Sequence, residues 1–175
     1  MTSLGSFFYL QKKFDESATY DERAIAILEN THGPVHPDLA ACLDNLGSAR
    51  SDQGRYEEAI ALHRRALGIY EKLYGPNHSE LVTPLLGLGR TYVDAGDHAA
   101  ARPVLERAFA LCGDGTDPLY RADLEFLLAE ALDKRDRRRA RTLAIAARDV
   151  YRATAHQEEG LAVANEWLQG HPLLP

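Results

Sequence analysis

Residues 33–78 read GPVHPDLAACLDNLGSARSDQGRYEEAIALHRRALGIYEKLYGPNH, one complete unit followed by the opening of the next. Gly33-Pro34 opens the stretch and recurs as Gly75-Pro76, and His36 recurs as His78, both 42 residues on. Pro37 sits where a helix tolerates proline, because a first-turn N–H has no intrahelical partner to lose. Asp38 suits the positive end of the helix dipole. Leu39, Leu43 and Leu46 then fall on one face at helical spacing. Gly54 accepts a positive φ and ends that helix. Tyr56, Ala59, Ile60, His63, Ala66, Leu67 and Tyr70 form the stripe of a second helix, which Gly75-Pro76 stops.

The same shift of 42 aligns Leu39 with Leu81, Leu43 with Leu85, Gly54 with Gly96 and Ala59 with Ala101. Four positions occur in three copies: Leu4/Leu46/Leu88, Gly5/Gly47/Gly89, Arg23/Arg65/Arg107 and Ala24/Ala66/Ala108. Average residue usage would give roughly two or three chance identities over such a window, so the repeat is real. Glycine inside a helix costs about 1 kcal/mol against alanine. Its return at 5, 47 and 89 therefore points to packing, with Gly47 and Ala59 letting paired helices approach closely. The pattern predicts helix pairs over 2–12 and 15–31, 37–53 and 55–74, 79–95 and 97–112, and 118–134 and 136–153. The units run over about 1–33, 34–75, 76–116 and 117–154. A capping helix follows over 157–169, within a final segment 155–175, on Leu161, Val163, Ala164, Trp167 and Leu168, and Gly170 and Pro172 end it. The fourth unit is degenerate: Leu124, Leu127, Leu128 and Leu132 mark its first helix. Ala140, Ala144 and Ala147 mark its second, at a spacing of 39 from Ala101, Leu105 and Ala108.

These signatures resemble the tetratricopeptide repeat in its 42-residue form, familiar from kinesin light chains and many bacterial signalling proteins. Leu46-Gly47 through Gly54-x-Tyr56-x-x-Ala59 to Ala66 carries the repeat signature. The join from Gly33 to Ala40 carries the longer type. The third unit departs at Ser79, where the join has no proline, and at His98, where an aromatic is usual. The resemblance implies an all-α, right-handed superhelix, an α-solenoid of antiparallel helix pairs with a C-terminal cap. The run from Arg121 to His171 is similar to the C-terminal ends of tetratricopeptide regions in myxobacterial-type serine/threonine kinases. That likeness rests on its Ala-, Leu- and Arg-rich helices and its terminal tryptophan helix.

Composition bounds the chemistry. The chain has 175 residues, and 20 basic against 26 acidic side chains give a net charge of -6. Such a balance disfavours bulk binding to nucleic acid or anionic membrane. No apolar run approaches the ~18 residues of a membrane span. Two cysteines are too few for a secreted disulfide framework, which with the absence of a readable signal peptide implies a reducing, cytoplasmic setting. Kinase, Walker and His-Glu-x-x-His motifs are all missing. No catalytic residue, cofactor or metal site is expected. His36 and His78 are assigned to helix entry rather than to a metal, Asp114, Thr116 and Asp117 to a capping turn, and Cys42 and Cys112 to buried thiols.

Two surfaces are candidates for function. Lys134, Arg135, Arg137, Arg138, Arg139 and Arg141 around Asp136 carry +5, while the rest of the chain, with 14 basic and 25 acidic residues, carries -11. This patch reads as a dock for an acidic protein, a phosphate group or RNA, or as a solvated turn with cations near a helix C-terminal end. No aromatics interleave it, as stacking on nucleic acid would require. The resemblance implies a concave surface lined by the first helix of each unit. Its positions here are Tyr9, Asp44, Asn45, Ser48, Asp52, Leu86, Arg90 and Asp94. Asn45 matches an asparagine that often holds a ligand backbone, while Gly87 and Ser3 stand at the equivalent places, so no asparagine ladder forms. A mixed to acidic groove fits an extended peptide or protein segment of basic character.

The expected function is non-catalytic protein or peptide binding, as a module of a larger bacterial signalling protein. The regulatory region of a kinase whose catalytic domain lies outside this chain, or a structural or oligomerisation segment, are the alternatives. By register Met1 falls inside a first helix. That leaves Leu4, Phe7 and Phe8 to meet a preceding segment of a longer protein, or to self-associate through this edge.

Overall fold

A computed structural model describes residues 14–113, 115–132 and 136–172. Among them it contains eight α-helices and no strand: α1 Phe14–His32, α2 Pro37–Asp52, α3 Tyr56–Tyr74, α4 Val82–Asp94, α5 His98–Leu111, α6 Pro118–Leu132, α7 Arg137–Ala153 and α8 Glu158–Gly170. Each helix packs on its neighbour in sequence, and α2 also meets α4, as α4 meets α6. The first helices of successive units thus share one layer of an all-α solenoid. The expected helix over 2–12, with Leu4, Phe7, Phe8 and Tyr9, lies outside the described residues.

The joins are built as their sequence implies. His36 caps α2, its Nδ1 accepting the Asp38 N–H at 3.2 Å, and His78 does the same for Glu80 at 3.2 Å. Each ring also packs against the side chain four residues earlier, His36 on His32 with centroids 4.5 Å apart and His78 on Tyr74 at 5.0 Å. The repeated histidine therefore closes one helix and opens the next. Gly54 and Gly75 end α2 and α3 with φ of +73° and +88°, values that a side chain at Cβ would strain.

The third unit differs from expectation at its start. A 3-10 turn, Ser79–Leu81, replaces the first turn of the expected helix, and α4 begins only at Val82. Pro84 removes one N–H from the first turns here, although α5 carries Pro103 at the same distance from its own start as Pro84 has from Ser79, without such a turn. Starting at Val82 sets Pro84 in the first turn.

The packing reason for the repeated glycines is specific. A Cβ on Gly89 would lie 2.3 Å from Cδ2 of Leu105, and one on Gly47 would lie 2.9 Å from the ring of His63. His63 and Leu105 are 42 residues apart, so they fill the same slot in successive units. Gly47 makes room for a side chain of the second helix rather than drawing two backbones together. Ala66, Ala108, Leu105 and Leu128 have no exposed surface.

The repeated arginines tie unit to unit. Arg65 pairs with Glu29 of the preceding unit, and Arg107 with Glu71 at 2.6 Å; Glu29 and Glu71 are themselves 42 apart. These pairs are half-exposed and worth at most about 1 kcal/mol each, but they set the same register at each step.

The fourth unit and cap close the described core. Ala140, Ala144 and Ala147 are fully buried on α7. Trp167 of α8 meets Phe126 edge-on at 6.3 Å and stacks on His171 at 4.2 Å. Asp117 caps α6, accepting the Leu119 N–H at 2.8 Å, and Thr116 accepts the Gly113 N–H at 3.1 Å. Asp114 lies outside the described residues. Of the two thiols, Cys42 is buried as expected, whereas Cys112 is only half-buried because it stands beyond the last turn of α5. Burial pushes the Cys42 thiol up to about 11.

Candidate functional site

The layer formed by α2, α4 and α6 encloses a groove of about 490 Å³. It brings together six of the eight expected groove residues: Asp44, Asn45, Ser48 and Asp52 from α2, and Leu86 and Arg90 from α4. Tyr9 lies outside the described residues. Asp94, expected in the groove, is not among the residues that line it and lies exposed at the end of α4. Thr83 and Tyr120 also line a second hollow of about 510 Å³, walled by Ser79, Val82, Gly113, Gly115, Thr116 and Asp117. The two hollows are neighbours that share Thr83 and Tyr120.

His63 is buried on the stripe of α3 as its spacing predicts, but its ring does more than fill the core. It belongs to the apolar stripe of α3 and occupies the slot of Leu105, yet its ring reaches the groove wall. Its Nδ1 lies 2.6 Å from Asp44 Oδ1, and the ring is fully buried. With Nδ1–H donating to Asp44, Nε2 is a buried acceptor with no partner, an arrangement that costs about 1–3 kcal/mol. A Cβ on Gly87 would lie 2.7 Å from this ring. That is why glycine stands opposite Asn45 and why no asparagine ladder continues into α4.

Unit four contributes residues that register could not transfer. Asp123 accepts a hydrogen bond from the Tyr151 hydroxyl at 2.8 Å and faces Arg90 at 3.8 Å. Tyr120 is 43% exposed, an aromatic face open to a ligand. Glu130, near the end of α6, is pushed up to about 7 from the ordinary 4.5, first by burial and then by the charge of Asp94, against Arg90 and His171. Partial desolvation and Asp52 likewise raise Asp94.

The sign of the Glu130 effect is definite. Its folded-state value lies above the unfolded one, so its contribution is full below about pH 4.5 and lost as pH rises through about 7. Glu130→Gln should therefore match wild type at pH 4.5 and exceed it at pH 8. Allowing for partial solvent screening, the gain is about 1–2 kcal/mol. Thermal melts at the two pH values check this; equal gains at both would remove the titration as the cause.

The basic patch is divided. Arg141 donates to the Leu168 and His171 carbonyls at 2.8 and 2.9 Å, neutralising the C-terminal end of α8. Arg139 reaches Glu106 at 3.0 Å. Arg137, Arg138 and Arg139 sit in the first turn of α7, the positive end of its dipole, and not at a helix C-terminus. Asp136 offsets this by accepting the Arg139 N–H at 3.0 Å. Lys134 and Arg135 lie outside the described residues.

Comparison with known proteins bears on the fold and the repeats. The family model of the tetratricopeptide repeat matches residues 1–72 and again 45–113. A crystal structure of a single-residue variant of a Podosopora anserina putative kinesin light chain, with nearly identical TPR-like repeats, superposes with a TM-score of 0.71 at 20% identity, over 96% of this chain and 86% of that one. BtubC (BKLC) from P. vanneervenii gives 0.69 at 18% identity over 98% of this chain, which spans 64% of the length of that structure. MamA gives 0.59 at 18% identity, over 97% and 86%. No curated protein sequence matches the chain. At these identities the structural likenesses show the fold, and the matched repeats decide membership: the chain belongs to the tetratricopeptide repeat family.

Proposed function

We propose that this chain is a non-catalytic scaffold that binds an extended protein segment along its concave face. The observation that carries this reading is the groove lined by residues of α2, α4 and α6, with polar side chains and an open tyrosine along its wall. An extended chain laid there can present its backbone to Asn45, Ser48 and Thr83 and its side chains to Leu86 and Tyr120. Among the described residues no helix is long and apolar enough to cross a membrane, and the cytoplasm is the setting we assign. Its context, a module of a larger bacterial signalling protein such as a serine/threonine kinase, rests on the resemblance of Arg121 to His171.

The test is selection of random dodecapeptides displayed on phage, followed by anisotropy titration of labelled winners. Ser48→Arg, which fills the groove, should weaken binding at least tenfold, whereas Glu57→Arg on the second-helix layer should leave it unchanged. Winners indifferent to Ser48→Arg would move the site off the groove.

A further inference from the structure

One carboxylate of the groove is held in place from below. Asp44 lines the groove with its side chain 14% exposed, and its Oδ1 lies 2.6 Å from Nδ1 of His63, whose side chain is 1% exposed. A carboxylate can only accept, so Nδ1 carries the proton and donates it. Among the described residues the second oxygen of Asp44 makes no hydrogen bond, and it is not buried, so it faces the open groove.

Packing alone does not call for a histidine here. Leu105 fills the same slot one unit on, with Gly89 opposite it as Gly47 is opposite His63. His63 fills the slot at a cost, because Nε2 is a buried acceptor with no partner among the described residues. Stability is commonly yielded at functional sites, and this ring is the one that lines the groove. What His63 contributes is orientation. A carboxylate with one oxygen bonded to a fully buried ring keeps the other pointed one way.

The surroundings suit a main chain rather than a large side chain. Gly87 faces Asp44 and His63 from α4; a Cβ there would lie 3.4 Å from Asp44 Oδ1 and 2.7 Å from the ring. The backbone of α4 is therefore bare at this point. Ser48 stands one turn after Asp44 on α2 and lines the same groove. Four residues of helix rise about 6 Å, close to the roughly 6.6–6.8 Å between alternate N–H groups of an extended chain. Ser48 Oγ donates to the Asp44 carbonyl at 3.2 Å, which leaves its lone pairs to accept. Building on the peptide-binding reading above, we propose that His63 is a positioning residue of the groove. It fixes Asp44 as the acceptor for one backbone N–H of the bound extended segment, and Ser48 accepts the N–H two residues along.

The experiment uses the dodecapeptides selected on the intact chain, taking winners that Ser48→Arg weakens. Replacing each backbone N–H of a winner in turn by N-methyl should find a position where wild type loses about tenfold. Asp44→Asn keeps an oxygen for His63 but turns an amide N–H toward the ligand. It should weaken the parent peptide about tenfold, and N-methylation at that position should then cost less than twofold. Two variants of His63, each checked for an unchanged fold by circular dichroism, separate positioning from packing. His63→Leu, which copies unit three, should melt at or above the wild-type midpoint yet bind about fivefold more weakly. His63→Asn, whose amide nitrogen stands about where Nδ1 does, should melt lower yet bind within twofold of wild type. Binding that follows the melting order, or one N-methyl profile shared by wild type and Asp44→Asn, would overturn the proposal while leaving peptide binding intact. Winners that lose affinity with a Lys or Arg head and with no N–H would put a cation at Asp44 and overturn it as well. Winners indifferent to Ser48→Arg would instead fail the underlying reading.

Discussion

Ala66→Asp should destabilise the chain by more than about 3 kcal/mol. Ala66 has no exposed surface and packs in one cluster with Leu39, Ala40, Leu43 and Ile69, flanked by Ile25, Leu28, Leu62 and Tyr70. An aspartate there would either hold a charge in an apolar setting or take up a proton, and it would also overfill a slot shaped for a methyl group. The pair α2 and α3 would be forced apart, and α1 with them, since Ile25 and Leu28 close the same cluster. For a domain whose total stability is about 5–15 kcal/mol, this is a large share. At about 2–4 °C per kcal/mol for a chain of this size, the melting midpoint should fall by roughly 10 °C. A midpoint within a degree or two of wild type would show that the slot is open and the register wrong.

The second large effect belongs to the slot shared by Gly89 and Leu105. Leu105→Ala should cost about 2–5 kcal/mol, the range for emptying a fully buried leucine site. Gly89→Ala alone should cost about 1–2 kcal/mol, because the new Cβ would sit 2.3 Å from Cδ2 of Leu105 and 2.6 Å from its Cγ. That overlap outweighs the gain in helix propensity of about 1 kcal/mol. With Leu105→Ala the overlap is gone, and Gly89→Ala should then stabilise by up to about 1 kcal/mol. A change of sign between backgrounds is the signature of direct contact. Denaturant melts of the four proteins measure it, and equal effects in both backgrounds would disprove the knob-and-gap packing of α4 and α5.

The repeat architecture was legible in the sequence because its signals are local. Gly-Pro joins, histidine caps, glycines at positive φ and apolar residues at helical spacing each act within a few residues of themselves. The described helices lie within a few residues of their expected bounds for this reason. The late start of α4 shows the limit: the boundary carried over from the unit before is off by one 3-10 turn, at a join that has Ser79 where that unit has Pro37. The groove residues of units two and three were legible too, because one register serves both. What the tertiary structure decided lies across helices. His63 has the spacing of a core residue, and only the gap over Gly47 and Gly87 turns it toward Asp44. Asp123 and Tyr120 enter the groove from a unit whose spacing is 39 rather than 42, with a different join, so no shift of register pointed to them. Arg141 looks like one more charge of a basic cluster until the carbonyl end of α8 folds back onto it. Periodicity specifies which face a side chain occupies on its own helix. Which neighbour it meets depends on the stacking of units, and that is set by the sum of weak contacts along the whole array.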